Sequence, residues 1–220
     1  KYFGSQKSLD LANSYLNRIK FNYDQEGWFN EYWGPDTGYQ TRTLAFLSEI
    51  SELIGSGEIK SMCMNAAEFV IQNLMPDSSI NPLMGVRSTS IMYPSGLLRI
   101  STWSDNNSII ASRVAECWIK GKTPLPSTLD YPNSMRLGED CFKAQLILEK
   151  IDQISRTKNF YTVQQHPETA QMMIISPLIT KGFKELLENS IISLIARPIE
   201  AKPLSTTCLS YVNASVPLSV

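Results

Sequence analysis

The sequence has few of the residues that build metal and nucleophilic sites. It contains one histidine, and its four cysteines include no CxxC pair. A structural zinc site needs four such ligands at close spacing, so we expect no metal site. We expect the cysteines Cys63, Cys117, Cys141 and Cys208 to be free thiols, and the three that fall in apolar helical stretches to be buried. Gly-rich phosphate loops, nucleophile elbows and EF-hand patterns are also missing, and we predict no cofactor.

The charge balance excludes two classes of partner. With 20 basic and 21 acidic residues, the net charge is -1, which predicts neither a nucleic-acid face nor a polybasic membrane patch. No apolar run reaches the roughly 18 residues that a membrane span requires.

The first residues, KYFGSQKSLDL, do not resemble a signal peptide. Together with the free thiols, this favours a cytoplasmic over a periplasmic location. The start at Lys1 fits a processed protein, a shortened one or a domain cut from a longer chain.

Apolar residues recur at helical spacing over most of the first 157 residues. The pattern predicts a mainly α fold with helices over residues 8–20, 37–54, 58–74, 105–121 and 134–157. The second and third helices are joined by a few residues around Gly55 and should form an antiparallel hairpin. Such hairpins, separated by long loops, are typical of an α/α toroid, of which this chain would form part.

Two regions lack this helical pattern. Residues 76–101 are rich in Pro, Gly and Ser, and we expect irregular structure or short β segments there. After residue 158, NFYTV and AQMMIIS are consistent with strands, and TKGFKELLENS begins like an amphipathic helix. We therefore predict a helical-hairpin domain over residues 1–157. Residues 158–220 would be a C-terminal extension, either separate or packed on the same core.

The stretch DQEGWFNEYWGPDTGYQTRTL, residues 24–44, combines four acids, two Trp, three Gly and two Tyr. One interpretation is a packed loop, in which Trp28 and Trp33 cover helix ends and Asp36 or Thr37 caps the second helix. The other is a sugar site. Sugar rings present C–H faces that stack on aromatic side chains, and their hydroxyl groups bind carboxylates and amides. The sequence leaves both interpretations open.

A resemblance bears on this choice. EGWFNEYWGPDTGYQTRTLAFLSEISEL resembles a segment of heparinase II/III-like polysaccharide lyases that reads roughly D-G-x-x-x-E-x-S-x-x-Y-H. It is more similar still to bacterial proteins of the same α/α-toroid type that carry E-G-W-F-x-E-Y-x-G-x-D-x-G-Y. Their second block, P-D-G-S…G-x-R-[SN]-T…Y-P-x-G, matches PDSSINPLMGVRSTSIMYPSG in this chain. The resemblance covers about residues 8–150.

The resemblance implies an α/α toroid that cleaves an acidic or surface polysaccharide by β-elimination. In that reaction a base removes the proton beside the sugar carboxylate, the glycosidic C–O bond breaks, and an acid protonates the leaving oxygen. The family's Tyr and Glu fall on Tyr39 and Glu31, and Arg87 would hold the carboxylate or clamp the loop. Gln40 occupies the position of the family His and cannot act as a base. The implied substrate-binding residues are Trp28, Trp33, Asp36, Gln40 and Tyr93.

The sequence alone thus supports three hypotheses for function. The first is a lyase-like polysaccharide-processing domain, with its site in loops 24–40 and 76–96. The second is a helical domain that binds glycans or serves as a scaffold without turnover, which the missing His favours. The third is a fragment of a larger enzyme, with the remaining catalytic groups on another part. The one histidine, His166, falls in a predicted surface loop.

Overall fold

The computed structural model describes residues 5–31, 33–85, 87–104, 108–162 and 177–195. Within these ranges the chain forms seven α-helices and isolated β-bridges, with no β-strand, which confirms a mainly helical fold. The helices are α1 (Gln6–Phe21), α2 (Thr37–Ile54), α3 (Gly57–Gln72), α4 (Pro94–Ser101), α5 (Ser108–Ile119), α6 (Tyr131–Thr162) and α7 (Pro177–Ile195), with a 3₁₀ turn at Pro126–Thr128. The toroid arrangement stays a prediction. Tyr32, His166, Cys208 and the AQMMIIS segment lie outside the described residues.

Helices α2 and α3 form the expected hairpin. Asp36 caps α2 by accepting a hydrogen bond from the backbone N–H of Tyr39 at 3.1 Å. Gly55 ends the helix with a φ of 68°, in the left-handed region that glycine enters without steric cost. Ser56 then caps α3 through the N–H of Ile59. Because only Gly55 and Ser56 separate the two helices, the chain reverses and α3 packs back along α2.

The short helix α4 corrects the prediction of irregular or β structure at 76–101. Residues 76–85 and 87–93 are irregular, but Pro94 starts a helix that is buried along most of its length. Proline suits the first helical position, because its fixed φ is helical and its missing N–H would have no partner there. Helix α4 packs against α2, α5 and α6, and Leu97, Leu98 and Ile100 belong to the core.

Gly96 permits the contact between α4 and α2. A Cβ atom at this position would lie 2.3 Å from the carbonyl carbon of Leu44 and 2.4 Å from the backbone nitrogen of Ala45. Real Cβ atoms do not approach backbone so closely, so any side chain at residue 96 would push the helices apart. The close approach therefore depends on glycine at this position.

Helices α6 and α7 differ from the prediction in length and type. Helix α6 continues to Thr162, so the strand predicted at NFYTV is wrong for its described residues 159–162. The segment from Thr180 to Ile195 is helical throughout, as part of α7. Phe183 and Leu187 of α7 are buried in the same core as α6. The C-terminal extension thus packs, in its described part, on the helical core.

Helix α1 lies at the edge of the molecule. It runs from Gln6 to Phe21 rather than 8–20, and Ser5 occupies the capping position. None of its residues is buried. Leu16 and Ile19 pack against the core, whereas Leu9 is exposed. The loose packing of α1 leaves a cleft between it and α2.

Within the described ranges, every helix is too short or too polar to cross a bilayer. The same ranges contain no group of three or more His, Cys, Asp or Glu side chains arranged to hold a metal ion.

Candidate functional site

The first half of the aromatic stretch is a small hairpin-like loop fixed by a buried glutamine. Its backbone pairs across the turn, with Asp24 N–H donating to Trp28 O at 2.8 Å and Asn30 N–H to Asn22 O at 2.7 Å. The side chain of Gln40 reaches the same loop from α2. Its Oε1 accepts from Phe29 N–H at 2.9 Å, and its Nε2 donates to Phe29 O at 2.7 Å. The predicted packed loop is therefore present for this half.

Asp36 joins the two sequence blocks that carry the family resemblance. One carboxylate oxygen accepts from Tyr39 N–H, and the other accepts from Arg87 N–H at 3.1 Å. The same blocks meet again where Tyr93 N–H donates to Thr41 Oγ1 at 3.0 Å. Asp36 is buried, and both its oxygens hold backbone. The backbone at Arg87 and Tyr93 is thus fixed along the start of α2.

These contacts give most of the predicted substrate-binding residues structural roles. Gln40 is 0% exposed, and Asp36 and Tyr93 are also buried. No ligand can reach Gln40 or Asp36 in this conformation, so they act here as fixed supports. Tyr93 precedes α4, and its ring lies beneath the guanidinium of Arg42, 5.5 Å from it.

Of the three predicted catalytic residues, Glu31 alone lines the cleft between α1 and α2. Glu31 is partly buried there. Tyr39 is partly buried and Arg87 exposed, and Asp36 holds the backbone of both. Neither Tyr39 nor Arg87 is among the residues that line this cleft.

The two predicted stacking residues differ in exposure. Trp28 is partly buried, and its Nε1 donates to Glu26 at 3.4 Å. Trp33 is 98% exposed and adopts a φ of 71°, which is uncommon for an aromatic residue. Glu31 N–H donates to Gly34 O at 3.3 Å and closes a short loop that projects Trp33 into solvent. Trp33 is thus presented two residues from Glu31.

A cleft of about 320 Å³ lies between α1 and α2, next to residues 29–31 of the aromatic stretch. One part of its wall is apolar, and the rest carries single polar groups. The lining residues are Tyr15, Arg18, Ile19, Asn22, Phe29, Asn30, Glu31, Thr43, Phe46, Leu47 and Ile50. Ligand sites commonly start at about 300 Å³ and combine an apolar wall with a few placed polar groups.

Glu31 is the acidic group of this cleft. Thr43 Oγ1 donates a hydrogen bond to its Oε1. Burial raises the pKa of the Glu31 carboxyl, and the nearby charge of Asp36 adds to the increase, whereas Thr43 and Arg42 oppose it. A carboxyl group with a raised pKa can hold a proton closer to neutral pH than an exposed glutamate can. Arg18 is the one basic residue among the lining residues.

Most of the cleft was not predicted from the sequence. Phe46 belongs to the apolar pattern that predicts α2, yet it is 49% exposed and lines the cleft. Tyr15 of α1 is 59% exposed and also lines the cleft. An apolar pattern does not distinguish a side chain in the core from one at the edge of a cleft. The sequence signal that could have pointed to the cleft is the presence of one bulky aromatic residue on each helix, Tyr15 on α1 and Phe46 on α2.

Comparison with known proteins adds little to this geometry. No model of a known protein family matches the chain. A 42-residue segment is 51% identical to part of the Protease HtpX homolog of Polynucleobacter necessarius subsp. necessarius (strain STIR1). This similarity covers 19% of the chain and 15% of that relative's length. A match so short carries neither the fold nor the activity of the relative to this chain.

Proposed function

We propose that this chain is a glycan-binding helical domain, and that the cleft between α1 and α2 holds one ring of an acidic or surface polysaccharide. The observation that carries the proposal is the composition of the cleft. Its apolar wall, with the Phe46 ring, borders the hydrogen-bonded pair of Glu31 and Thr43 within about 320 Å³.

The chemistry of a sugar ring suits this cleft. The C–H face of a pyranose can lie against Phe46 and Tyr15, which are both only half-covered by protein. Its hydroxyl groups can then bond the amides of Asn22 and Asn30 and the carboxylate of Glu31. An apolar wall gives affinity, and a few polar groups fix the orientation of the ring.

Trp33 supports the proposal from outside the cleft. A nearly fully exposed indole leaves a large apolar surface in water, which folding alone does not favour. A tryptophan in this position can stack on the next ring of an oligosaccharide whose first ring occupies the cleft. Binding of an extended chain would explain why the loop projects Trp33 rather than burying it.

Lyase-like β-elimination is the second candidate function. The raised pKa of Glu31 suits an acid that protonates a leaving oxygen, and the partly exposed Tyr39 is the expected base. Against this, Tyr39 and Arg87 do not line the cleft that Glu31 faces. Binding without turnover therefore accounts for more of the geometry than catalysis does.

Protease activity is not part of the proposal. The similarity to the protease homolog spans 42 residues. The 220-residue sequence has one histidine, so it cannot contain the two histidines of a helical HExxH motif.

Isothermal titration with a panel of neutral and acidic oligosaccharides tests binding. We expect at least one acidic oligosaccharide to bind the full chain, and Tyr15→Ala to weaken binding about fivefold or more, in line with the loss of one aromatic contact. Tyr131→Ala is the matched control, because Tyr131 is 63% exposed on α6 and lies outside the cleft. Equal losses in both variants, or no binding across the panel, would overturn the proposal.

Ultraviolet absorbance tests the lyase alternative. β-Elimination leaves an unsaturated uronate that absorbs in the near ultraviolet, whereas binding gives no product. Product that forms with the natural chain and disappears in Tyr39→Phe would establish the lyase. Glycan binding with no absorbance change would leave binding as the function.

A further inference from the structure

A second, smaller cavity also has Phe46 in its wall. It encloses about 30 Å³ between α2, the start of α4 and α6. Its lining residues are Arg42, Ala45, Phe46, Tyr93, Arg136, Glu139, Asp140 and Lys143. One water molecule needs about 10–15 Å³, so the cavity has room for a small polar group but not for a sugar ring. Phe46 lines both cavities, so the two share this side chain in their walls.

Most of the charges around this cavity already have partners. Both oxygens of Asp140 accept hydrogen bonds from Ser95, one from its N–H at 2.9 Å and one from its hydroxyl. Lys143 forms ion pairs with Glu49 and Glu139, each at 3.1 Å. The two acids and the lysine of the lining are thus satisfied within the protein.

The guanidinium groups of Arg42 and Arg136 are the remaining charged groups among the lining residues. Across the described ranges, neither Arg42 nor Arg136 forms an ion pair with an acid within 4 Å, although Glu31 lies near enough to Arg42 to interact electrostatically. Arg42 lies over the rings of Phe46 and Tyr93 and hydrogen-bonds the Tyr93 hydroxyl. Arg136 is exposed on α6 and acts on the same hydroxyl through its charge. Two arginines beside one small cavity suit an oxyanion, because each guanidinium offers paired donors to its oxygens.

We propose that Arg42 and Arg136 bind the carboxylate or sulfate group of the glycan whose ring occupies the neighbouring cleft. This inference rests on the proposed function and assigns its ligand to the acidic class. The ring would lie against Phe46 in the cleft, and its charged substituent would reach into the small cavity that shares the Phe46 side chain. Neutral glycans would fill the cleft alone and bind more weakly.

Hexagalacturonate and its methyl ester test the inference, because they share a backbone and differ in charge. We expect the natural chain to bind the acid at least about fivefold more tightly than the ester, as the loss of a charged hydrogen bond would give. Arg136→Gln should remove that preference while leaving ester binding unchanged. Lys150→Gln removes the same charge from the same helix outside the cavity and should preserve the preference. Arg42→Lys keeps the charge but loses the paired donors, and it should weaken acid binding in part.

Inorganic sulfate and a heparin hexasaccharide separate the remaining outcomes. Tighter binding of the heparin probe than of hexagalacturonate, lost in Arg136→Gln, supports the anion site and shows that it prefers a sulfated glycan. Equal binding of acid, ester and heparin, unaffected by Arg136→Gln, overturns the anion site but leaves the proposed glycan cleft in place. Sulfate binding that depends on Arg136, with no oligosaccharide bound, keeps the anion site and overturns the proposed function. No binding of any probe overturns both.

Discussion

Gln40 and Phe29 exchange two hydrogen bonds across eleven residues of chain. The amide oxygen of Gln40 accepts from Phe29 N–H at 2.9 Å, and its nitrogen donates to Phe29 O at 2.7 Å. The Gln40 amide thus pairs with the backbone N–H and C=O of Phe29, as a neighbouring β-strand would. It holds the loop that contains Phe29 against α2. The resemblance to polysaccharide lyases that the sequence predicts would align this position with a histidine. In this chain the position has a structural role, so we expect its replacement to affect stability first.

Gln40→Met tests that role with little change in volume. It leaves the N–H and C=O of Phe29 without their partner in a buried place, and each unpaired group costs about 1–3 kcal/mol. We expect the free energy of unfolding, measured with urea, to fall by about 2–4 kcal/mol. Gln72→Met, on the exposed surface of α3, should change it by less than about 0.5 kcal/mol. Similar changes in the free energy of unfolding for Gln40→Met and Gln72→Met would show that the Gln40 amide does not hold the loop.

Gly96→Ala tests the close contact of α4 with α2. The added methyl group would meet the backbone of Leu44 and Ala45, which cannot move aside as a flexible side chain can. We expect a loss of about 1–3 kcal/mol in the free energy of unfolding, typical of overpacking in a core. Gly57→Ala is the control, since a Cβ atom there has no neighbour within 4 Å. That variant should match or exceed the natural chain in stability, because alanine favours helix and restricts the unfolded chain. An unchanged stability in Gly96→Ala would contradict the packing described for α4.

The buried Asp140 predicts a pH-dependent stability. Burial raises the pKa of its carboxyl to about 6, although the two Ser95 hydrogen bonds oppose the shift. In the unfolded chain the value is near 3.8. Between these values the folded state binds the proton more tightly, so the contribution of Asp140 to stability falls as the pH rises from about 4 to about 6 and is constant above. The full change is about 3 kcal/mol, at 1.4 kcal/mol per unit.

Urea unfolding from pH 4 to pH 8 measures this effect when the natural chain is compared with Asp140→Asn. The asparagine can still form hydrogen bonds with Ser95 but does not titrate. The pH-dependent contributions of the other carboxyl groups cancel when the free energies of unfolding of the two chains are subtracted. We expect the natural chain to lose stability relative to the variant between pH 4 and pH 6. A difference that does not change with pH would show that Asp140 titrates normally in the fold.

Three cysteines should be protected from alkylation in the folded chain. Cys63, Cys117 and Cys141 are buried free thiols. Burial raises the pKa of both Cys63 and Cys117 to about 12, so almost no reactive thiolate forms at neutral pH. Iodoacetamide labelling followed by peptide mass spectrometry should modify these residues in urea but not in native buffer. Rapid native labelling of any of the three would contradict the packing around it.

The sequence predicted the elements whose signals are local. The cap at Asp36 and the left-handed Gly55 bound α2 correctly, and the short link to α3 predicted the hairpin. Helix α4 was missed because Pro94 and Gly96 resemble loop residues in sequence. Pro94 instead begins the helix, and Gly96 allows it to contact α2. These functions depend on the neighbouring helix, which no local pattern reveals.

The site was less predictable than the fold. Trp33 and Glu31 were chosen as candidates by their residue types, and the structure leaves Trp33 exposed and Glu31 partly exposed. Gln40 and Asp36 have the same polar character, but their partners are backbone groups distant in sequence, at Phe29 and Arg87. Residue type shows which chemistry is possible. Only the tertiary contacts show which polar groups are already satisfied, and Arg42 and Arg136 are identified as candidates only after that distinction is made.

The most direct test of the account is to map a bound acidic oligosaccharide onto the chain by NMR. Hexagalacturonate or a heparin hexasaccharide would be titrated into the ¹⁵N-labelled protein, and backbone amide shifts would be followed. The account predicts that the largest shifts fall on the cleft, at residues such as Asn22, Asn30 and Thr43, with α7 unaffected. Shifts confined to surfaces away from the cleft, or no shifts with either probe, would contradict it.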